Sequence, residues 1–189
     1  MISRSPARHP AAGSADGSCP SNLEAPPASV VQELKVRIRP ATVVDVGAIA
    51  NLAAQFDEYL RSLGDTADSH LTAEAILRDG FGKNPALAGL VAEQDGTVVG
   101  YLLYHFGYLA EKASRMVHVV DLYVAETARR QSVGRALMAA VAKICRDAGG
   151  TELFWSIYIP NKLAASFYEG IGARYTKDLR FMRINADLL

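Results

Sequence analysis

The chain has 189 residues, half of them hydrophobic, and its 20 basic and 20 acidic residues cancel. That length suits one ordinary hydrophobic core; the balanced charge gives no global field for nucleic acid or an anionic membrane, and no apolar run reaches the ~18 residues that cross a bilayer. Cys19 and Cys145 show neither metal-ligand spacing nor a disulfide framework, so a soluble protein of a reducing compartment, the cytoplasm, is expected, with no metal.

Residues 1–34 are dominated by Ser, Ala, Pro and Gly. They are expected to be disordered, with the folded domain spanning 35–189. Arg4 and Arg8 precede the first acid, Asp16, but the segment has no amphipathic face or apolar run that would make it a targeting signal. KVRIR at 35–39 alternates like a first strand. Pro40 and Thr42 then open a helix running to about residue 63, with Thr42 and Asp45 as a capping pair. After a polar loop a second helix covers about 72–79, and 80–85 breaks the pattern. Strands at 87–93 and 97–106 flank the Asp95-Gly96 hairpin turn, and 116–124 forms the next strand. A helix follows whose stripe is Val133, Ala136, Leu137, Ala140, Val141 and Ile144, stopped by Gly149 and Gly150. A strand at 152–157, a helix carrying Tyr168 and a final strand near 175–184 complete the order. Such a mixture suits an α+β sheet with helices on both faces.

The stretch VVDLYVAETARRQSVGRAL, 119–137, holds the densest chemistry. A strand passes through a short basic turn into a helix start, where backbone N–H groups lack intrahelical partners. With Arg129, Arg130 and Arg135 beside them and only the small Ser132 and Gly134 in the turn, they suit a pyrophosphate. Asp121 sits inside an apolar run, where an ionised side chain needs a polar cleft or a partner, so it is the candidate proton acceptor. His118, three residues earlier, points to the opposite face unless a bulge intervenes. Glu93 reads as a solvated strand end. Asp57, Glu58, Asp65 and Asp68 form an acidic helix-loop region suited to a cationic substrate.

These residues resemble the GCN5-related N-acetyltransferases (GNAT), whose core motif is Arg/Gln-x-x-Gly-x-Gly/Ala. Gln131, Gly134 and Ala136 match it in one register. Arg129, Ser132 and Gly134 match it in a second, preferred because it keeps the family's spacing from the strand and aligns VGRAL with the usual Ile-Gly-x-Ala-Leu. Ser132 then replaces a glycine where backbone approaches phosphate. A second block, Asn161, Ala164, Phe167, Tyr168, Gly172 and Ala173, is similar to the family's Asn-x-x-Ala-x-x-Phe-Tyr-x-x-x-Gly-Ala/Phe signature. From about 35 to 184 the chain resembles the diamine acetyltransferase branch, through KVRIRPAT, DGFG and the VVDLYV strand. It departs where Val120 replaces the branch's Glu before Asp121, and where tryptophans are expected near Lys112 and Leu179. Trp155, the chain's one tryptophan, reads as a core residue of the 152–157 strand.

The resemblance implies a mostly antiparallel central sheet that splays after the fourth strand. It also implies acetyl-CoA as cosubstrate, held by Leu122, Tyr123, Val124, Arg129, Arg130, Gln131, Ser132, Val133, Gly134, Arg135 and Ala136. Asn161 would touch the pantetheine arm, Phe167 would pack, and Tyr168 would sit near the sulfur as the acid for the leaving thiolate. Asp57, Glu58 and Asp121 would face a small primary amine, and a homodimer is expected. Two classes of function are thereby open. One is an N-acetyltransferase for a diamine, polyamine or thialysine-like amine, with a protein lysine or N-terminus as the runner-up acceptor. The other is a weakly catalytic acyl-CoA sensor, which Ser132 and Val120 favour and Tyr168 opposes.

Overall fold

The structure is a computed structural model that describes residues 36–67, 71–177 and 179–188. The expectations for 1–34, including Arg4, Arg8, Asp16 and Cys19, and for Asp68, lie outside the described residues. In chain order the elements are β1 (Arg37–Pro40), a 3-10 turn (Val43–Asp45), α1 (Val46–Ser62), α2 (Ala73–Phe81), β2 (Ala88–Gln94), β3 (Thr97–Leu109), β4 (Ser114–Val124), α3 (Val133–Asp147), β5 (Gly150–Phe154) and α4 (Lys162–Gly170). The sheet runs β1-β2-β3-β4-β5, antiparallel except for the parallel β4–β5 pair.

Both faces of the sheet are covered, as alternation along its strands requires. Val91, Tyr101, Leu103 and Tyr123 meet Ile49 and Leu52 of α1 and Ile76 of α2 on one face. On the other, Leu90, Leu102, Tyr104, Val117 and Val119 meet Val133, Leu137, Val141 and Cys145 of α3. Cys145 is therefore a core residue.

Four elements differ from their sequence reading. The first helix begins with a 3-10 turn, because the Asp45 carboxylate accepts from both the backbone N–H and the hydroxyl of Thr42, at 2.8 and 2.9 Å, and tightens the entry. Glu93 is an ion-pair partner of Arg39 at 2.8 Å, not a solvated end. The fifth strand stops at Phe154, so Trp155 leaves the sheet. Among the described residues of 173–188 there is no strand, and Tyr175, Leu179, Phe181, Met182 and Ile184 are exposed. Alternation alone does not make a strand: its backbone groups need a partner ladder, and here this segment has none.

Arg39 grips Asp45 with two hydrogen bonds of 2.7 and 2.8 Å. Asp45 is 3% exposed, and the guanidinium holds its carboxyl down at about 2. Asp45→Ala removes two hydrogen bonds to Arg39 and the Thr42 contacts, leaves the guanidinium to Glu93, and is expected to destabilise the fold by roughly 2 kcal/mol. A depressed carboxyl contributes stability above its unfolded value near 3.8, and that stability disappears as pH falls through about 2. Urea unfolding across pH 5 to 2 therefore shows a steeper acid loss for the native chain than for Asp45→Ala; equal slopes would remove the ion pair from the account.

Candidate active site

The cleft exists because two strands part. β4 pairs β5 only from Arg115 to His118, and among the described residues no strand pairs Val119–Val124 on that side. Residues 155–161 swing away from the sheet, leaving a cleft of about 1120 Å³ between β4, the turn before α3 and the start of α4. The parting thus begins within the fourth strand at Val119, earlier than the expected position after Val124. Backbone groups along that β4 edge are left for a bound chain or water.

A β-bulge aims the chemistry. Leu103 pairs with Asp121 but Tyr104 pairs with Val119, so Val120 is the extra residue. The bulge reverses the alternation: Val117 and Val119 face α3, whereas Tyr123 faces α1. His118 and Asp121 are consequently not on opposite faces, as simple counting requires. Even so, Asp121 lines the cleft and His118 does not. His118 instead stacks on His105 with ring centroids 5.0 Å apart, its Nδ1 buried without a partner, and burial followed by the His105 charge lowers its pKa. Val120, where a second carboxylate is expected, is half exposed in the bulge.

Burial is the main force on Asp121, raising its carboxyl to about 6, and nearby Asp57 pushes the same way. Hydrogen bonds from the Tyr101 hydroxyl and the Leu122 backbone pull it back. Tyr168 also lines the cleft, with its ring 4.8 Å from Trp155 and 5.1 Å from Phe167. Burial, then the charge of Asp121, lift its phenol to about 12, so the hydroxyl keeps its proton at any ordinary pH. A carboxylate able to take a proton and a phenol able to give one therefore share the cleft.

The turn before α3 is built from unusual backbone. Arg130 and Ser132 have φ of 61° and 63°, the left-handed region that glycine adopts at lowest cost. The first bond of the helix runs from Ala136 N to Ser132 O, so the N–H groups of Val133, Gly134 and Arg135 precede it and lack intrahelical acceptors. Arg130, Ser132, Val133, Gly134 and Arg135 line the cleft, as do Leu122, Tyr123 and Val124. Gln131 and Ala136 do not: Gln131 bonds Thr127 O and Gln94 instead. Gly134 has a packing reason, since a Cβ there would lie 3.2 Å from the Phe167 ring. Arg129 lines the cleft, but its Nε donates to Val124 O and its guanidinium sits over the Tyr59 and Tyr123 rings at 5.3 and 5.4 Å.

Asn161 is 5% exposed. Its Oδ1 caps α4 through Ala164 N and accepts from the Tyr59 hydroxyl, both at 3.0 Å, tying α1 across to α4. Phe56, Tyr59 and Trp155 are cleft residues that sequence reasoning missed. Of the acidic helix-loop set, Asp57 is near enough to act on Asp121, Glu58 is exposed away from the cleft lining, and Asp65 accepts from Ala67 N. Among the described residues no group of His, Cys, Asp and Glu is arranged to hold a metal, and no helix is long and apolar enough to cross a membrane.

Comparison with known proteins places this geometry. Thialysine N-epsilon-acetyltransferase of Bos taurus is 35% identical over 147 residues, 74% of this chain and 84% of the bovine one. L-ornithine N5-acetyltransferase NATA1 of Arabidopsis thaliana is 32% identical over 95 residues, 50% of this chain and 42% of its own. The solved structure of an integron cassette protein from the mobile metagenome of V.cholerae shares the fold with a TM-score of 0.66 at 22% identity, covering 80% of this chain and 93% of that one. The family model described as Acetyltransferase (GNAT) family matches residues 52–173, which takes in the later part of α1, the Val120 bulge, the turn before α3 and Tyr168. The chain belongs to the GNAT acetyltransferase family, near its polyamine acetyltransferase branch, and is an N-acetyltransferase enzyme.

Proposed function

We propose that this enzyme uses acetyl-CoA to acetylate a primary amine of a small cationic acceptor, a diamine, polyamine or thialysine-like molecule, by direct attack. One observation carries the reading: Asp121 and Tyr168 line the same cleft, at the point where β4 and β5 part, one a carboxyl raised toward neutrality and the other a phenol that holds its proton. The thialysine and ornithine acetyltransferases among the relatives support an acceptor that is an amine on a short cationic chain.

The residues fit the cosubstrate on their own chemistry. The unpartnered amides at the start of α3, with Arg130 and Arg135 beside them, suit its pyrophosphate. The stretch Leu122, Tyr123 and Val124, which β5 does not pair, suits the amides of its pantetheine arm through the backbone groups not already taken by Asp121 and Arg129, with Asn161 and Phe167 in the same cleft. Cleft lining supports the motif register Arg129, Ser132 and Gly134 over the one that needs Gln131 and Ala136. In that register Ser132 takes the left-handed conformation that a glycine would adopt, and Arg129 braces the turn rather than reaching a phosphate.

In the reaction, Asp121 takes a proton from the acceptor ammonium and becomes a carboxylic acid. The neutral nitrogen attacks the thioester carbon, and the tetrahedral intermediate collapses by breaking the C–S bond. Tyr168 gives its proton to the departing thiolate and recovers one from the newly acetylated nitrogen. Asp121 returns its proton to solvent before the next turnover. Asp57, whose charge reaches Asp121 although it does not line the cleft, would add to the negative field that favours the acceptor's cationic group.

The test is thiol release from acetyl-CoA with thialysine, lysine, ornithine, putrescine, spermidine, an aminoglycoside and a short lysine peptide. Release with a small diamine or thialysine-like amine is expected. Release with the peptide alone would move the acceptor to protein, and cosubstrate binding without acceptor-dependent release would make the cleft a sensor.

A further inference from the structure

Asp121 does not stand alone. The Val120 bulge turns it onto the face that carries Tyr101 and Tyr123, and the Tyr101 hydroxyl donates to Asp121 Oδ2 at 2.5 Å. Tyr101 is 0% exposed in the middle of β3. Across the ladder its direct partner is Tyr123, and it reaches Asp121 diagonally, because Asp121 lies opposite Leu103. A phenol buried among apolar side chains is unfavourable without a partner. Phenylalanine would fill the same space without that requirement, so what distinguishes tyrosine here is its one hydrogen bond, and that bond goes to Asp121.

We propose that Tyr101 is a positioning residue for the transfer: its buried hydroxyl clamps one oxygen of Asp121 and holds the carboxylate in the orientation from which it takes the acceptor's proton. The inference rests on Asp121 being that proton acceptor. In the step an N–H bond of the ammonium breaks, its electron pair stays on nitrogen, and an O–H bond forms on Asp121. Tyr101 keeps its own proton throughout, since burial and the adjacent carboxylate both push its pKa upward.

The titratable groups around Asp121 are Tyr101 on β3, Asp57 on α1 and Tyr168 on α4. Burial and Asp57 favour the protonated carboxyl, whereas the Tyr101 hydrogen bond favours the ionised one. Losing the hydroxyl therefore makes Asp121 hold its proton to higher pH.

The experiment is a kinetic cycle of Tyr101→Phe and Asp121→Asn. Tyr101→Phe is expected to lower kcat roughly tenfold or more, a part of what a positioned acid or base supplies. It should keep the KM for acetyl-CoA and move the acid limb of kcat/KM to higher pH. Added to Asp121→Asn, it should cause no further loss. An unmoved acid limb, or an equal loss in the Asp121→Asn background, would overturn the proposal. If Asp121→Asn alone keeps the full rate and the acid limb, Asp121 is not the base and the proposal falls with that reading. Should Tyr101→Phe fail to fold, the unmodified protein decides. Its Tyr101 hydroxyl proton, assigned by NMR through the Tyr101 ring, must titrate with the midpoint of the acid limb, and a resonance unmoved across that limb would refute the clamp.

Discussion

Asp121→Asn is expected to lower kcat/KM for the amine by roughly two to three orders of magnitude at neutral pH. A primary amine of pKa near 10.4 is unprotonated to only about one part in 2,500 at pH 7, and without an internal base the enzyme can use only that fraction. The pH profile changes shape as well. The native enzyme loses activity as pH falls through about 6, where Asp121 becomes protonated. The variant has no such limb, and its rate climbs with pH as the amine itself deprotonates. Stability moves the other way. A carboxyl whose pKa is raised by folding favours the native state below its unfolded value, and that contribution is lost as pH rises through about 6, so an ionised Asp121 burdens the fold at pH 7. The uncharged asparagine is expected to raise Tm while it lowers activity. A variant that keeps both the rate and the acid limb would transfer the proton to a water chain instead.

Tyr168→Phe is expected to lower kcat by about a hundredfold, the lower part of the range for a positioned general acid, because a thiolate is already a tolerable leaving group. The ring that rests on Trp155 and Phe167 remains, so affinity for acetyl-CoA measured by calorimetry should stay unchanged. With the native phenol held at about 12, no alkaline loss attributable to Tyr168 is expected in the working range. If kcat and cosubstrate affinity fell together, Tyr168 would be a wall of the cleft rather than its acid.

Much of this site is legible in sequence because it is local. The strand, basic turn and helix from Val119 to Leu137 are contiguous, and both the apolar stripe of α3 and its glycine stop follow from spacing. Asn161 capping the helix that carries Tyr168 is likewise a short-range relation. What escaped the reading depends on pairing between distant segments. Neither the bulge at Val120 nor the Tyr101–Asp121 bond can be counted from one strand, because register is a property of two. Trp155 does pack against the core, as read, but β5 ends one residue earlier, and the same side chain is also a cleft wall, which strand propensity does not show. The 175–184 segment has the composition of a strand, but its described residues join no ladder.

The sequence by itself determined most of the elements, the two-faced core, the helix start and the family, since periodicity, caps and motif spacing act over a few residues and survive without knowledge of neighbours. The tertiary structure alone decided which face Asp121 presents, which hydroxyl holds it, and that Arg129 braces two aromatic rings. Those outcomes depend on strand register and on the parting of β4 from β5, where hydrogen-bond partners lie twenty or more residues apart and desolvation is shared among several elements.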